Sequence, residues 1–447
     1  MIFLLTGIAA TANAQEMNYT YADSLSYQLY LRNASDSLEQ LTNSAGKNGI
    51  DFYYLQLRTG VLFYNKRMYQ KAEKYFEQCL TFDSSDPVAL EYLYYCYIYN
   101  GKPLQAENLA GNFPSSLKTK LNIRSIKLIE TICLEGGGLI PAHAADPTDL
   151  KGSSHIYGDY DKSNCFYTSK MGIVSKLSPR IKLYNSAGFL NLDKSNSYQS
   201  IPEKSNNFPF NKPVPDLTGS SSYQTKQYEA FSHLSYLFKS RIVFTGAYHY
   251  IFTTSNNQLI NFDAQKHSYF FTTQTTNIPM HAGNLGMTYF FKNKQVKTSF
   301  SMASVNGNTI KQINIGIVYA LGSNKKIYAS SNAGFFKDNN ESKLIVQQKF
   351  GAWLSPKLKS EFNFTIGSLY NYIDEDAASI YYMTDNILCK SGLAFTYSFN
   401  PKISMGFSSD ILIRESYYSS FNPDMNYTKT NFLYPAVFTS LKLIWKP

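Results

Sequence analysis

The chain has 447 residues, 17% of them charged, with 37 Tyr and 31 Phe but only 2 Trp. That length predicts two domains rather than one core, and excess tyrosine with few charges fits β structure that is apolar on one face and wet on the other. A net charge of +10 would suit a nucleic-acid partner, but an export leader and the placement of Lys and Arg exclude it, and no apolar run of about 18 residues follows the first few positions, so no spanning helix is expected.

In chain order, residues 1–14 read as a secretory signal. A short apolar core ends in Ala12-Asn13-Ala14, a small-x-small cleavage pattern before Gln15. The usual basic start is missing, so the true start is expected further upstream. No cysteine follows the cut, so a lipid anchor is not expected.

Residues 15–134 read as helical and periplasmic. From Tyr53 onward Gly60, Phe63, Tyr69, Ala72, Phe76 and Cys79 are spaced for paired helices, and thirty-four residues later Tyr97, Ala106 and Ala110 take the places of Phe63, Ala72 and Phe76. Leu93 and Gly101 fall close by. This resembles the tetratricopeptide repeat, in which a small residue lets two antiparallel helices approach and aromatics fill the groove. Tyr94 stands where Gly60 stands in the first unit, so the second is degenerate. Two units rarely bury their apolar faces alone, so segments near 22–44 and 116–133 are expected as helical caps. Residues 135–153, with three consecutive glycines and two prolines, read as a linker.

From 154 to 447 apolar residues alternate with small or polar ones. In "SGLAFTYSFNPKISMGFSSD" Leu393, Phe395, Tyr397 and Phe399, then Ile403, Met405 and Phe407, share one parity, while Gly, Ala, Ser and Thr hold the other. A period of two puts these sets on opposite faces of a strand. The same pattern runs through 310–321, with Ile313, Ile315 and Ile317 against Gln312 and Asn314, and through 362–372. Small polar residues suit a lumen, so the apolar face is expected to look outward at lipid. Short turns near 179, 240, 293, 324, 356 and 401 alternate with longer connections at 161–164, 195–221, 254–267, 306–308, 337–342, 374–378 and 419–430. The count is about fourteen strands, with both ends on the short-turn side. The fold class is therefore α+β multidomain: all-α tetratricopeptide-like repeats, then a transmembrane antiparallel β-barrel in the outer membrane of a Gram-negative bacterium. The last strand, apolar and aromatic through Leu441, Leu443 and Trp445, resembles a barrel insertion signal, and Tyr289, Tyr370, Tyr372, Tyr417 and Tyr418 are expected at the interfaces.

The short turns carry Arg180, Lys239, Arg241, Lys292, Lys294, Lys325, Lys326, Lys357 and Lys402, an expected periplasmic basic ring for headgroup phosphates or an acidic surface. Asp410 and Arg414 share lumen parity and are expected to pair inside the pore. Asp374-Glu375-Asp376 reads as a solvated loop tip. Six histidines and five cysteines show no metal spacing; no metal, cofactor or catalytic constellation is expected, and the chain does not read as an enzyme. Residues 135–154 or 195–221 are the expected plugs if the pore is closed.

Helical repeats followed by a barrel resemble, in layout, the surface lipoprotein assembly modulators (Slam), YaiO-type barrels and the outer-membrane exporters of polysaccharides. The resemblance implies export or surface display of a polypeptide or glycan held by the helical domain. The alternative is a structural anchor whose helices dock a periplasmic protein complex. Outer-membrane lipid is the other expected partner, and nucleic acid is not.

Overall fold

A computed structural model of the chain describes residues 18–123, 128–141, 157–200, 217–239, 241–263, 268–291, 294–321, 326–338, 341–380, 385–421 and 427–447. The expected signal over 1–14 lies outside them. The chain divides into a helical unit, up to Ile126, and a β unit from Lys127.

The helical unit contains α1 (Tyr19–Leu31), α2 (Ser35–Lys47), α3 (Tyr53–Asn65), α4 (Tyr69–Phe82), α5 (Pro87–Tyr99), α6 (Pro103–Gly111) and a short α7 (Ser115–Lys120). The starts at 19, 53 and 87, and at 35, 69 and 103, repeat the thirty-four-residue interval, so the periodicity extends one helix pair upstream of Tyr53. Asp86 caps α5 by accepting from Val88 and Ala89, with Pro87 at the first helical position. Phe63, Ala72, Phe76, Leu93, Tyr97 and Ala106 are buried in one cluster, with Tyr69 packed against its margin. Gly60 admits the helix crossing, since a Cβ there would sit 2.9 Å from the Phe76 ring. Gly101 turns the chain at φ +70°. Burial pushes the Cys79 thiol up to about 12, with Asp86 and Asp51 adding to the effect, so it packs rather than reacts.

The β unit is a closed antiparallel barrel of fourteen strands. They are β1 (Ile129–Pro141), β2 (Tyr157–Ser178), β3 (Ile181–Ser200), β4 (Leu217–Phe238), β5 (Ile242–Asp263), β6 (Ser268–Phe291), β7 (Lys294–Val305), β8 (Asn308–Leu321), β9 (Ile327–Asp338), β10 (Glu341–Trp353), β11 (Leu358–Ile366), β12 (Asn386–Ser398), β13 (Ile403–Phe421) and β14 (Tyr427–Trp445). Each pairs with its neighbour in sequence, and β1 closes the ring on β14 from Ile132↔Trp445 to Pro141↔Ala436.

The strand count agrees with the sequence reading, but two boundaries differ and offset one another. The glycine-rich stretch taken as a linker, and the segment up to 133 taken as a helical cap, contain β1. A Cβ at Gly137 would meet the Thr439 carbonyl at 2.8 Å and the Phe438 ring at 2.9 Å, so glycine here admits close neighbours instead of breaking structure. Conversely, 161–164 is no connection: β2 runs through it, with a register shift between Ser163 and Phe166. Residues 195–200, 217–221 and 254–263 are strand as well, because β3 to β5 run further than expected. Ser, Asn and Thr disguise these extensions as loops.

The parity runs as read from sequence. Ile313 and Ile315 are 53% and 58% exposed on the outer face, while Gln312 between their neighbours is 1% exposed toward the inside. Leu393, Phe395, Tyr397, Met405 and Phe407 also face outward. Apolar side chains outside and polar ones inside is the inverted arrangement of a transmembrane barrel, surrounded by hydrocarbon. Ile315→Arg should therefore destabilise the folded barrel by about 2–4 kcal/mol in a urea titration from liposomes, whereas Thr396→Arg on the lumen parity should not.

Candidate functional site

After Ile366 the chain does not continue as a strand or leave for solvent; residues 367–380 and Asp385 turn into the lumen. Gly367 makes the turn at φ +122°, where a Cβ would lie 2.5 Å from the Leu344 carbonyl. Leu369, Tyr372, Ile373 and Ala377 are buried in one cluster with Ile251, Met280, Ile310, Phe336 and Ile345 of the barrel wall. The tip is a tight reversal, with Ile373 bridging Ile380 and the Asp374 N–H donating to the Ser379 carbonyl at 2.9 Å. Asp376 and Ala377 sit in the left-handed region at φ +59°. Such backbone persists only where its surroundings hold it.

Two wall residues do so. Gln312 of β8 makes both hydrogen bonds of the Ile373 peptide unit: its amide donates to the carbonyl at 2.5 Å and its Oε1 accepts from the N–H at 3.1 Å. His249 of β5, fully buried, places Nδ1 3.0 Å from the Ala377 carbonyl. A carbonyl only accepts, so the imidazole carries its proton on Nδ1. Nε2 faces the Glu229 carboxylate at 3.6 Å.

The end of the segment is pinned by charge. Asp385 accepts from Arg414 at 2.8 Å and from the Tyr434 hydroxyl at 2.6 Å, with the guanidinium over the Tyr434 ring at 5.3 Å. Asp410 instead lies 3.4 Å from Lys390 and accepts from Asn363. The expected Asp410–Arg414 pair is not formed. Four residues along a strand span about 13 Å, whereas the same spacing on a helix brings neighbours together.

Three further expectations change. The cluster around Asp374 is part of the inward segment and not an outer loop tip; Tyr372 is in the core and Tyr370 lines a lumen cavity, so neither is interfacial. Tyr418 is buried too and Tyr417 lines the same cavity, while Tyr289 faces outward. The inward segment is neither of the stretches expected to plug the pore.

Between this segment and the wall lies a cavity of about 1060 Å³. Its floor carries charges of opposite sign on registered strands, Glu135 opposite Lys170. Its upper wall carries Leu139, Phe166, Leu192 and Phe438. The cavity therefore offers both polar and apolar surface. Among the described residues no His, Cys, Asp or Glu cluster has metal-binding geometry.

Of the basic turn residues, Arg180, Lys239, Arg241, Lys294, Lys326, Lys357 and Lys402 are exposed at the end of the barrel where β1 begins and β14 finishes; Lys292 and Lys325 lie outside the described residues. Asp385, Gln312 and the anchoring role of His249 were not legible in the sequence. A glutamine amid isoleucines on the inward parity of β8 was the available signal.

No known family pattern matches the chain, and no curated protein is similar in sequence. Among solved structures it is similar to the TodX deltaS2S3 mutant monoaromatic hydrocarbon channel, at 8% identity and a TM-score of 0.45, covering 73% of this chain and 92% of that one. It is also similar to the Pseudomonas putida toluene transporter TodX, at 8% identity and 0.44, covering 71% and 89%. A Pseudomonas aeruginosa FadL homologue gives 7% identity and 0.44, covering 71% and 90%. These likenesses concern barrel architecture alone.

Proposed function

We propose that the chain is a gated conduit of a Gram-negative outer membrane, with residues 367–380 as its internal plug. The observation that carries this reading is the seating of that segment inside a closed barrel on two side chains, Gln312 and His249. A barrel serving only as an anchor has no need of a separate segment bonded across its lumen. The cavity beside the plug, polar at its floor and apolar above, suits a cargo that presents both kinds of surface.

The helical unit is the proposed periplasmic capture domain. Its thirty-four-residue repeat of helix pairs supports a tetratricopeptide-like reading, and such stacks present extended concave surfaces to polypeptides and other partners. The conduit then exports or displays the captured polypeptide or glycan. The basic residues at the short-turn end would hold the barrel against inner-leaflet phosphates.

Deleting residues 18–123, which spares all of β1, should leave an inserted, heat-modifiable barrel and remove one or more cargoes from the cell surface. An unchanged surface proteome and glycan profile would count against export and for the anchor.

A further inference from the structure

The outward face of β5 to β8 carries a set of polar side chains where lipid is expected. Strand register places Tyr250 opposite His281, His281 opposite Ser304, and Ser304 opposite Thr309. His281 and Ser304 are exposed on the outer parity. Directly opposed residues on antiparallel strands hold their Cβ atoms about 4.5–5.5 Å apart, so rotation about the serine χ1 brings its hydroxyl to the imidazole. Tyr248 places its hydroxyl 2.7 Å from His281 Nδ1, and the Tyr250 ring packs on the imidazole at 5.0 Å. A hollow of about 460 Å³ opens here, lined by Tyr248, His281 and Ser304 together with Leu285, Phe300 and Met302. Ser304 stands two residues before the Asn306-Gly307 turn, at the rim of its hairpin.

A second observation lies one row away. Lys311 and Lys337 oppose one another across β8 and β9 and are both exposed on the outer face. Like charges directly opposed destabilise a sheet, and neither lysine has an ion-pair partner among the described residues. An anion between them would remove the repulsion.

We propose that Ser304 and His281 form an ester-hydrolysing pair on the lipid-facing wall, acting on an acyl ester of a phosphate-bearing membrane lipid. The lipid's phosphate sits on Lys311 and Lys337, and its acyl chain lies along Leu285, Phe300 and Met302. With the Nδ1 proton donated to the Tyr248 oxygen, Nε2 keeps its lone pair and takes the Ser304 proton as Oγ attacks the ester carbonyl. The Thr309 hydroxyl, opposite Ser304, donates to the resulting oxyanion. Collapse breaks the ester C–O bond, and His281 returns the proton to the leaving alcohol. Water, activated by His281, then cleaves acyl-Ser304 to free fatty acid and restores the serine. Tyr248 is a positioning residue that fixes the tautomer. This site lies on the outside of the wall and does not depend on the plug.

The test uses the full chain folded in detergent and then in vesicles of phosphatidylethanolamine and phosphatidylglycerol. A fluorophosphonate probe should label the wild type, not label Ser304→Ala, and label His281→Ala at least ~100-fold more slowly. Fatty-acid release from the vesicles should vanish with Ser304→Ala and fall in Lys311→Ala/Lys337→Ala while probe labelling of that variant is retained. Tyr248→Phe should move the pH profile of labelling. Because Ser304 faces outward, Ser304→Ala should keep the wild-type heat-modified mobility, showing that the barrel is folded. Folded wild type that neither labels nor releases fatty acid overturns the proposal, as does Ser304→Ala labelling like the wild type. Fatty-acid release unaffected by the double lysine variant overturns the phosphate seat.

Discussion

Replacing residues 371–380 with a short Gly-Ser linker should turn a barrel that conducts weakly in planar bilayers into one with a large, steady conductance. The replaced stretch carries Tyr372, Ile373 and Ala377 into the lumen core, and it receives the anchoring bonds of Gln312 and His249. The strands remain intact because β11 ends at Ile366 and β12 begins at Asn386. Gln312→Leu gives a graded version. It removes two hydrogen bonds and leaves the buried Ile373 peptide unpaired, a cost of about 1–3 kcal/mol for an unsatisfied group. Since about 1.4 kcal/mol is tenfold in an equilibrium, brief openings should become roughly 10- to 100-fold more frequent. Conductance unchanged by the linker variant would show that 367–380 does not close the pore.

Arg414→Leu should destabilise the barrel by about 3–5 kcal/mol, because it strands the Asp385 carboxylate in a buried site. Arg414 is 1% exposed, and Asp385 otherwise has the Tyr434 hydroxyl as its bonded neighbour. The second change, Asp385→Asn, should recover most of the loss, since removing both charges spares the unpaired one. Thermal unfolding followed by the loss of heat-modified mobility measures both variants. If the single variant unfolds within about 1 kcal/mol of wild type, the pair is a surface-like contact of little weight. The plug should also loosen in the single variant, since Asp385 is the residue that leads back into β12.

The barrel was legible because its signal is local. Phe395 and Ile315 face outward by the covalent two-residue period of a strand, and no distant contact is needed to assign them. The helix pairs were legible for the same reason, with Gly60 and Phe76 at fixed spacing. Residues 135–141 were misread because glycine marks both breaks and close approach, and only the Phe438 ring against Gly137 tells which applies. The polar extensions of β3 to β5 were misread because strands beyond the hydrocarbon need no apolar face.

Asp410 and Arg414 show the limit most directly. Sequence placed both in the lumen; the structure gave each a different partner, Lys390 for one and Asp385 for the other.

Sequence by itself determined the strand parity, the wet inside and the helical front, because each follows from neighbours a few residues apart. The tertiary structure alone decided that 367–380 turns inward and that Ser304 stands opposite His281 in the strand register. The Gln312–Ile373 and His249–Ala377 contacts span 61 and 128 residues, and no periodicity encodes pairings at such separations. They arise only when ring closure and register bring distant strands side by side.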